Sequence, residues 1–347
     1  MRPCGLGKLA TLRTLEWTRN GVRLINQDEY PHHLSYTLCR NYRQVARAIR
    51  EMTVRGASAI GVTAAMGIAL AAKQSKRTQN KLLMRDIEVA AEEIRATRPT
   101  ARSLSWAVDR MLKQANEAAD NGHDIRTSLV TEALRIADEG IDANRRLGRF
   151  GAELIEDGDT ILTHCNSKTT VVFGGALEVV TTAISQGKKV KLVATETRPR
   201  LQGAKITAYE ALSEGIPLTL IVDSAVGIVM SKGMVNKVIV GADRITRRVL
   251  INKIGTLTIA IAAKHHGIPF YSAAPITAFD LSEEADNVPI EERDPREVTT
   301  IAGRRVAAKG TIVFNPAFDI TPLELVTGVI TDRGVLSADQ IREMKRS

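Results

Sequence analysis

The run Thr160-Ile161-Leu162-Thr163-His164-Cys165-Asn166 marks a change in the periodicity of the chain. Before it, Ile125 to Glu156 reads as one long helical stretch, with Gly140 as the expected point of interruption. After it, short apolar runs alternate with helical segments. The runs are Thr160-Ile161-Leu162, Val190 to Ala194, Leu218 to Val222, Val238-Ile239-Val240 and Pro269 to Ala273. Between them lie helical patterns at Gly174 to Gln186, Thr207 to Ser213, Ala225 to Lys232 and Gly255 to His265. Continuous apolar strands alternating with helices specify an α/β fold with a parallel sheet covered on both faces. Ligands of such sheets sit outside the carboxyl ends of the strands. The polar residues of this half fall there: Thr163-His164-Cys165-Asn166, Glu196-Thr197-Arg198-Pro199, Asp223-Ser224, Gly241-Ala242-Asp243-Arg244 and Ala274-Pro275.

Upstream the pattern is helical. Thr14 to Trp17 and Val22 to Ile25 flank Asn20-Gly21, which predicts a hairpin. Asn41 with Gln44 resembles a capping box, and Val45, Ile49 and Met52 follow at helical spacing. Ala59 to Ala72 reads as a buried helix whose alanines and glycines permit close packing. Ile87 to Ala96 and Ser103 to Ala118 continue the pattern until Gly122 breaks it. The expected organisation is a mainly helical domain with a small sheet over 1–125. A linker helix and the α/β domain then occupy 126–347.

Composition narrows the class. The 347 residues are 44% hydrophobic and 25% charged, ordinary values for globular domains, with only 4% aromatics. Met1 to Arg13 lacks the apolar run of a secretory signal, and Ala59 to Ala72 is too short to span a bilayer. A soluble, cytoplasmic protein without a membrane partner is expected. Cys4, Cys39 and Cys165 show no CxxC spacing, which argues against a disulfide framework or a zinc site. The net charge of +9 suits an anionic partner. The basic residues are dispersed and lack interleaved aromatics, so phosphorylated metabolites fit better than nucleic acid.

Candidate chemistry falls on few side chains. Cys165 at a strand end can act as a base or nucleophile if its thiolate is stabilised; it also reads as a small buried hydrophobe. Asp243, after Val-Ile-Val-Gly-Ala, can act as a general acid, or simply cap a helix. Asn252-Lys253, before Ile254-Gly255 and a helix start, reads as an anion site or as a solvated loop. Arg55-Gly56-Ala57 precedes another helix of small residues, and Arg98 could supply a further anion contact. His164, His265 and His266 lack metal-ligand spacing, and no metal is assigned to them.

Several segments together resemble the methylthioribose-1-phosphate isomerase family. They are VRGASAIGVTAAMGIAL (54–70), RPTA (98–101), LTHCNS (162–167), ETRPRLQGAKITAYEAL (196–212), GADRI (241–245), NKIGT (252–256), IPFYSAAP (268–275), IEERDPREV (290–298) and NPAFDITP (315–322). The superfamily also holds ribose-1,5-bisphosphate isomerases and regulatory subunits of the initiation-factor exchange complex. The resemblance implies a helical N-terminal domain with a small sheet and a Rossmann-like C-terminal domain, assembled as a homodimer. It implies Cys165 and Asp243 as the catalytic pair, and Arg55, Gly56, Ala57, Arg98, Gln202, Asn252 and Lys253 as substrate contacts. No cofactor is implied. The implied reaction converts 5-methylthioribose 1-phosphate into 5-methylthioribulose 1-phosphate in methionine salvage. The alternatives are a ribose-1,5-bisphosphate isomerase and a non-catalytic regulatory binding protein. Two departures bear on the substrate. Ser167-Lys168 and a shortened loop follow Asn166, closer to the bisphosphate isomerases, and Arg102-Ser103 stands where the family has an asparagine.

Overall fold

The computed structural model of the protein describes residues 14–27, 29–31, 33–165, 168–169, 173–282 and 288–345, and the expected hairpin opens it. Strands β1 (Leu15–Thr18) and β2 (Gly21–Ile25) pair antiparallel with Thr18 opposite Gly21, so Arg19 and Asn20 form the turn. Gly21 is required twice over. Its φ is 140°, and a Cβ there would stand 2.2 Å from the Cys39 carbonyl oxygen. That carbonyl belongs to β3 (Tyr36–Cys39), a third antiparallel strand too short to show in the periodicity. Asn41 caps α1 (Tyr42–Arg50) by accepting the Gln44 amide at 3.0 Å. The Gln44 side chain accepts from the Arg40 amide instead of the Asn41 amide, so the reciprocal half of the box is shifted by one residue.

Helix α2 (Ala57–Gln74) is buried on all sides from Ala59 to Ala72. Helices α1, α3 (Asn80–Arg95) and α4 (Arg102–Asp120) pack around it. Its glycines set the approach distance: a Cβ at Gly61 would lie 2.8 Å from the Ser103 carbonyl oxygen, and one at Gly67 2.8 Å from Val45. The fully buried Ile60 and Ile68 each contribute roughly 1.5–3 kcal/mol of burial energy.

Helix α5 (Ile125–Ala152) runs through Gly140 without a break, because one interior glycine costs only about 1 kcal/mol and packing offsets it. Its Ile125, Leu129, Ala133 and Ile136 belong to the core of the helical unit, and Leu147 and Ala152 to a second core. The chain divides accordingly into two compact units. The first is carried by the chain up to Arg145 with a short segment starting at Thr169, the second by the chain from Arg146 onward.

In the second unit the strands run β4 (Thr160–Thr163), β5 (Lys191–Thr195), β6 (Leu218–Ile221), β7 (Lys237–Val240), β8 (Arg244–Ile245), β9 (Val249–Lys253), β10 (Phe270–Ala273), β11 (Phe318–Pro322), β12 (Gly328–Thr331) and β13 (Gly334–Leu336). Helices α6 (Ala176–Ser185), α7 (Ala208–Ser213), α8 (Val226–Ser231), α9 (Thr256–His265) and α10 (Ala338–Glu343) cover them. Seven strands form one sheet in the order β6-β5-β4-β7-β10-β12-β13, parallel except for β13. Successive residues enter opposite cores. Leu162, Val238 and Val240 pack with α8 and α9, while Ile161 and Ile239 pack with α6. The chain leaves β4 toward β5 and β6, then returns to add β7 on the other side of β4. That reversal creates a crevice between the carboxyl ends of β4 and β7. Beyond it lies a three-stranded antiparallel sheet, β8-β9-β11, with Asn252 opposite Asp319. Among the described residues no helix is long and apolar enough to cross a membrane.

Candidate active site

The first two residues past β4 are His164 and Cys165. Cys165 is half-buried with φ of 68°, a left-handed conformation unusual for a side-chain-bearing residue. Hydrogen bonds hold it there from both sides. Its amide donates to Thr197 Oγ1 at 2.9 Å, and its carbonyl accepts from Thr207 Oγ1 at 2.7 Å. Thr197, past β5, is itself left-handed at 64°. Asp223, past β6, fixes that turn by accepting the amides of Thr197 at 2.8 Å and Arg198 at 2.7 Å. A five-residue π-helical turn, Gly203–Thr207, brings Thr207 to Cys165. Such turns are frequent at functional sites. Only glycine fits at its start, since a Cβ at Gly203 would lie 1.8 Å from the Thr195 carbonyl oxygen. Gln202 just before it is buried, with its Oε1 unpartnered.

Asp243 follows β7, the strand beside β4. Its amide donates to the Ile251 carbonyl at 3.0 Å, which sets the half-buried side chain beside the end of β9. Asn252 and Lys253 end that strand, and both are buried. Asn252 donates to Thr256 Oγ1 at 2.9 Å. Burial pushes the Lys253 ammonium below its usual pKa, against the opposing fields of Cys165, Glu297 and Asp243. Lys253 therefore lies within the electrostatic reach of both candidate catalytic groups. Among the described residues no carboxylate stands at ion-pair distance from its ammonium. A buried cation that no described carboxylate meets at ion-pair distance suits an anionic ligand.

The anion expected at the start of α9 is already supplied by the protein. Asp319 Oδ2 accepts the Gly255 amide at 2.7 Å and the Leu257 amide at 3.1 Å. Its Oδ1 is buried without a partner. Burial lifts this carboxyl to about 6, against the pull of the Leu257 and Gly255 amides and of Lys253. A ligand phosphate would therefore meet the side chains of Asn252 and Lys253 rather than those two amides.

Cys165, Gln202, Asp243, Asn252 and Lys253 thus share one unit, on the loops of one sheet edge and the small sheet beside it. Arg55, Gly56 and Arg98 belong to the helical unit. Arg55 and Arg98 are buried before the first turns of α2 and α4, and Gly61 of α2 lies against Ser103 of α4. Arg55 Nε donates to the Met52 carbonyl at 3.0 Å, and Gly56 enters α2 with φ of 95°. The side chains of Ala57 and Lys168, with all of Asn166 and Ser167, lie outside the described residues. Arg102 Nη1 stands 4.0 Å from Asp109, which also receives Arg95 at 2.7 Å.

A family model described as the initiation factor 2 subunit family matches residues 53–338. The chain belongs to this family. A methylthioribose-1-phosphate isomerase of Desulforamulus reducens is 45% identical over 330 residues, covering 94% of this chain and 95% of the relative. The crystal structure of 5-methylthioribose 1-phosphate isomerase from Pyrococcus horikoshii OT3 matches with a TM-score of 0.84 and 40% identity, covering 98% of this chain and 96% of that one. A structure described as the translation initiation factor eIF-2B, subunit delta, from A. fulgidus matches with a TM-score of 0.79 and 45% identity, covering 94% and 96%. These relatives thus carry names of two kinds, isomerase and translation initiation factor, on one fold.

Residues to which the sequence reading gave no role hold the two loops. Thr197, Thr207 and Asp223 hold the Cys165 loop, while His164 and Asp319 hold the Lys253 loop. All lie inside or beside segments whose pattern was noticed. What was missing was the pairing of β9 with β11, which sets Asp319 against Asn252.

Proposed function

We propose that the protein isomerises 5-methylthioribose 1-phosphate to 5-methylthioribulose 1-phosphate. The buried Lys253 ammonium, within the fields of Cys165 and Asp243 and with no carboxylate at ion-pair distance among the described residues, is the observation that carries this reading, because it suits a phosphate at a site equipped with a thiol and a carboxyl. The names of relatives at 45% identity over nearly the whole chain supply the substrate. The phosphate on C1 blocks spontaneous ring opening, so an acid must assist. Asp243 delivers a proton to the ring oxygen as its bond to C1 breaks, leaving C1 electron-deficient. The Cys165 thiolate takes the proton from C2, and the C2–H electrons form the C1–C2 double bond. The 2-hydroxyl then loses its proton while C1 gains one, giving the C2 carbonyl and a C1 methylene. Lys253 and Asn252 hold the phosphate through these steps. On the resemblance, Gln202, Arg55, Gly56, Ala57 and Arg98 are further substrate contacts, and the active form is a cytoplasmic homodimer.

Turnover in deuterated water tests the chemistry. Solvent deuterium at C1 of the product is expected, and its complete absence points to hydride transfer from C2 to C1 or to a proton returned without exchange. A regulatory reading draws on the initiation-factor names of the family model and of the A. fulgidus structure. Tight binding of 5-methylthioribose 1-phosphate without turnover would establish it in place of the isomerase. Competition between that substrate and ribose 1,5-bisphosphate, compared by kcat/KM, decides the sugar; a preference above about tenfold for the bisphosphate overturns the choice.

A further inference from the structure

The histidine of Leu162-Thr163-His164-Cys165 has no role in the chemistry above, yet both its ring nitrogens are committed. Nδ1 lies 2.6 Å from Thr195 Oγ1 at the end of β5, and Nε2 lies 2.8 Å from the Ile254 carbonyl oxygen, next to Lys253. A carbonyl only accepts, so Nε2 must carry the proton. Burial pushes the imidazole down to about 4, so the ring is neutral near pH 7 and Nδ1 accepts from the Thr195 hydroxyl. The path continues. Thr195 Oγ1 is 3.3 Å from Thr197 Oγ1, which accepts the Cys165 amide at 2.9 Å. A chain of polar contacts therefore joins the Cys165 backbone to the carbonyl beside Lys253, with the Thr197 hydroxyl proton shared between Thr195 Oγ1 and the Thr195 carbonyl, each at 3.3 Å.

The ring also fits its neighbour closely. Gly255 turns with φ of 105°, and a Cβ there would stand 3.1 Å from His164 Cε1 and Nε2. Across the turn, Asp319 holds the Gly255 and Leu257 amides, and the Ala317 carbonyl accepts the Ile254 amide at 3.1 Å. Thr256 Oγ1 donates to the Lys253 carbonyl at 2.7 Å. The Lys253 turn is gripped from the β11 side by Asp319 and from the β4 side by His164 alone among these ties.

Resting on the functional reading above, we propose that His164 is a positioning residue that sets where the Lys253 ammonium stands relative to Cys165. A buried apolar side chain could fill the same volume. It could not tie the end of β5 and the turn after β9 to the residue preceding Cys165. Displacements of about 1 Å between a bound group and its catalyst can cost on the order of a hundredfold in rate, so such a tie matters for catalysis.

The test compares His164→Ala, His164→Gln and His164→Asn with Lys253→Ala in the full-length protein, each checked for native circular dichroism. A glutamine amide nitrogen reaches as far as Nε2 and can donate to Ile254, whereas an asparagine amide falls short. We expect His164→Ala and His164→Asn to raise KM for 5-methylthioribose 1-phosphate about tenfold, with a smaller fall in kcat, and His164→Gln to stay within about threefold of wild type. In a Lys253→Ala background, His164→Ala should change KM by less than about threefold, because the two residues act as one unit. Should His164→Ala fail to fold, His164→Asn against His164→Gln carries the comparison. Multiplicative KM effects in the double mutant, or glutamine performing as badly as asparagine, overturns the assignment. If wild type turns over neither candidate sugar phosphate, the functional reading fails, but the same cycle can be read as the dissociation constant for inorganic phosphate. Non-additivity there still supports the positioning role, and additivity overturns it.

Discussion

Helix α2 and the loops at the carboxyl edge of the seven-stranded sheet are built on opposite terms. From Ala59 to Ala72 the helix is wholly buried, its one polar side chain there, Thr63, bonds back to the Ala59 carbonyl at 2.7 Å, and its glycines lie where neighbours come close. In the loops, Cys165, Thr197 and Leu201 are left-handed at 68°, 64° and 61°, Gln202 and Asp319 keep buried unpartnered oxygens, and Lys253 is a buried cation. Left-handed conformations in such residues cost about 1–3 kcal/mol each and persist only where surrounding bonds over-determine them. The Asp223–Thr197–Cys165–Thr207 bonding does that here. On the proposed function, stability and chemistry thus fall to different stretches of the chain.

The largest expected effects separate those assignments. Cys165→Ser and Asp243→Asn should each lower kcat/KM by roughly 10²–10⁴-fold, as loss of an acid–base group does, while the denaturant midpoint moves little. Ile68→Ala should do the reverse, lowering stability by about 2–5 kcal/mol with kcat/KM per folded molecule unchanged. Paired unfolding curves and steady-state kinetics check both. If Cys165→Ser unfolds the protein, or Ile68→Ala abolishes activity in folded molecules, the division does not hold.

A step down in size, Lys253→Ala removes a charged contact with the phosphate, worth about 1.5–3 kcal/mol. We expect KM to rise about tenfold to a hundredfold with kcat less affected, measured on 5-methylthioribose 1-phosphate. Inorganic phosphate should inhibit wild type competitively and the variant far more weakly. An unchanged KM would move the phosphate away from Lys253.

How much of this could be seen in the sequence differs between the two kinds of stretch. The parallel strands were legible because β4, β5, β7 and β10 are apolar on both faces and bounded by polar turns. Their ends then located Cys165 and Asp243 without any knowledge of packing. Strands β8, β9 and β11 were not legible. Val249 to Lys253 alternates weakly, and β11 ends in Pro322 and draws its meaning from a partner about seventy residues earlier. Without that pairing Asp319 reads as one more surface acid, and the start of α9 reads as an open anion site. Gly140 misled for a related reason: local propensity favours a break, and packing on both sides of α5 overrides it.

The smallest effect, and the most diagnostic of how the Lys253 turn is held, concerns acid. Two buried groups flank this turn with opposite shifts. His164 is pushed from 6.5 down to about 4, so it binds fewer protons folded than unfolded between those values. Its contribution to stability is complete above 6.5 and is lost as pH falls toward 4. Asp319 is raised from 3.8 to about 6 and binds more protons folded than unfolded in nearly the same window. Its contribution is complete below 3.8 and is lost as pH rises through 6. Each is worth on the order of 1–3 kcal/mol, and because the signs oppose, the two largely cancel between pH 6 and 4. Asp319→Asn keeps a carbonyl oxygen for the Gly255 and Leu257 amides but removes the buried charge. The variant should melt higher than wild type at pH 8, lose about half of that advantage by pH 5 and the rest by about pH 4, exposing the His164 limb as a steep acid decline. In His164→Gln the decline should vanish and stability should instead rise as pH falls from 6 to 4. Thermal melts of the three proteins across pH 4–8 check this. If Asp319→Asn is destabilised equally at pH 8 and pH 5, the two amide bonds outweigh the cost of burying the carboxylate, and the turn is held by Asp319 as an ion rather than in spite of its charge.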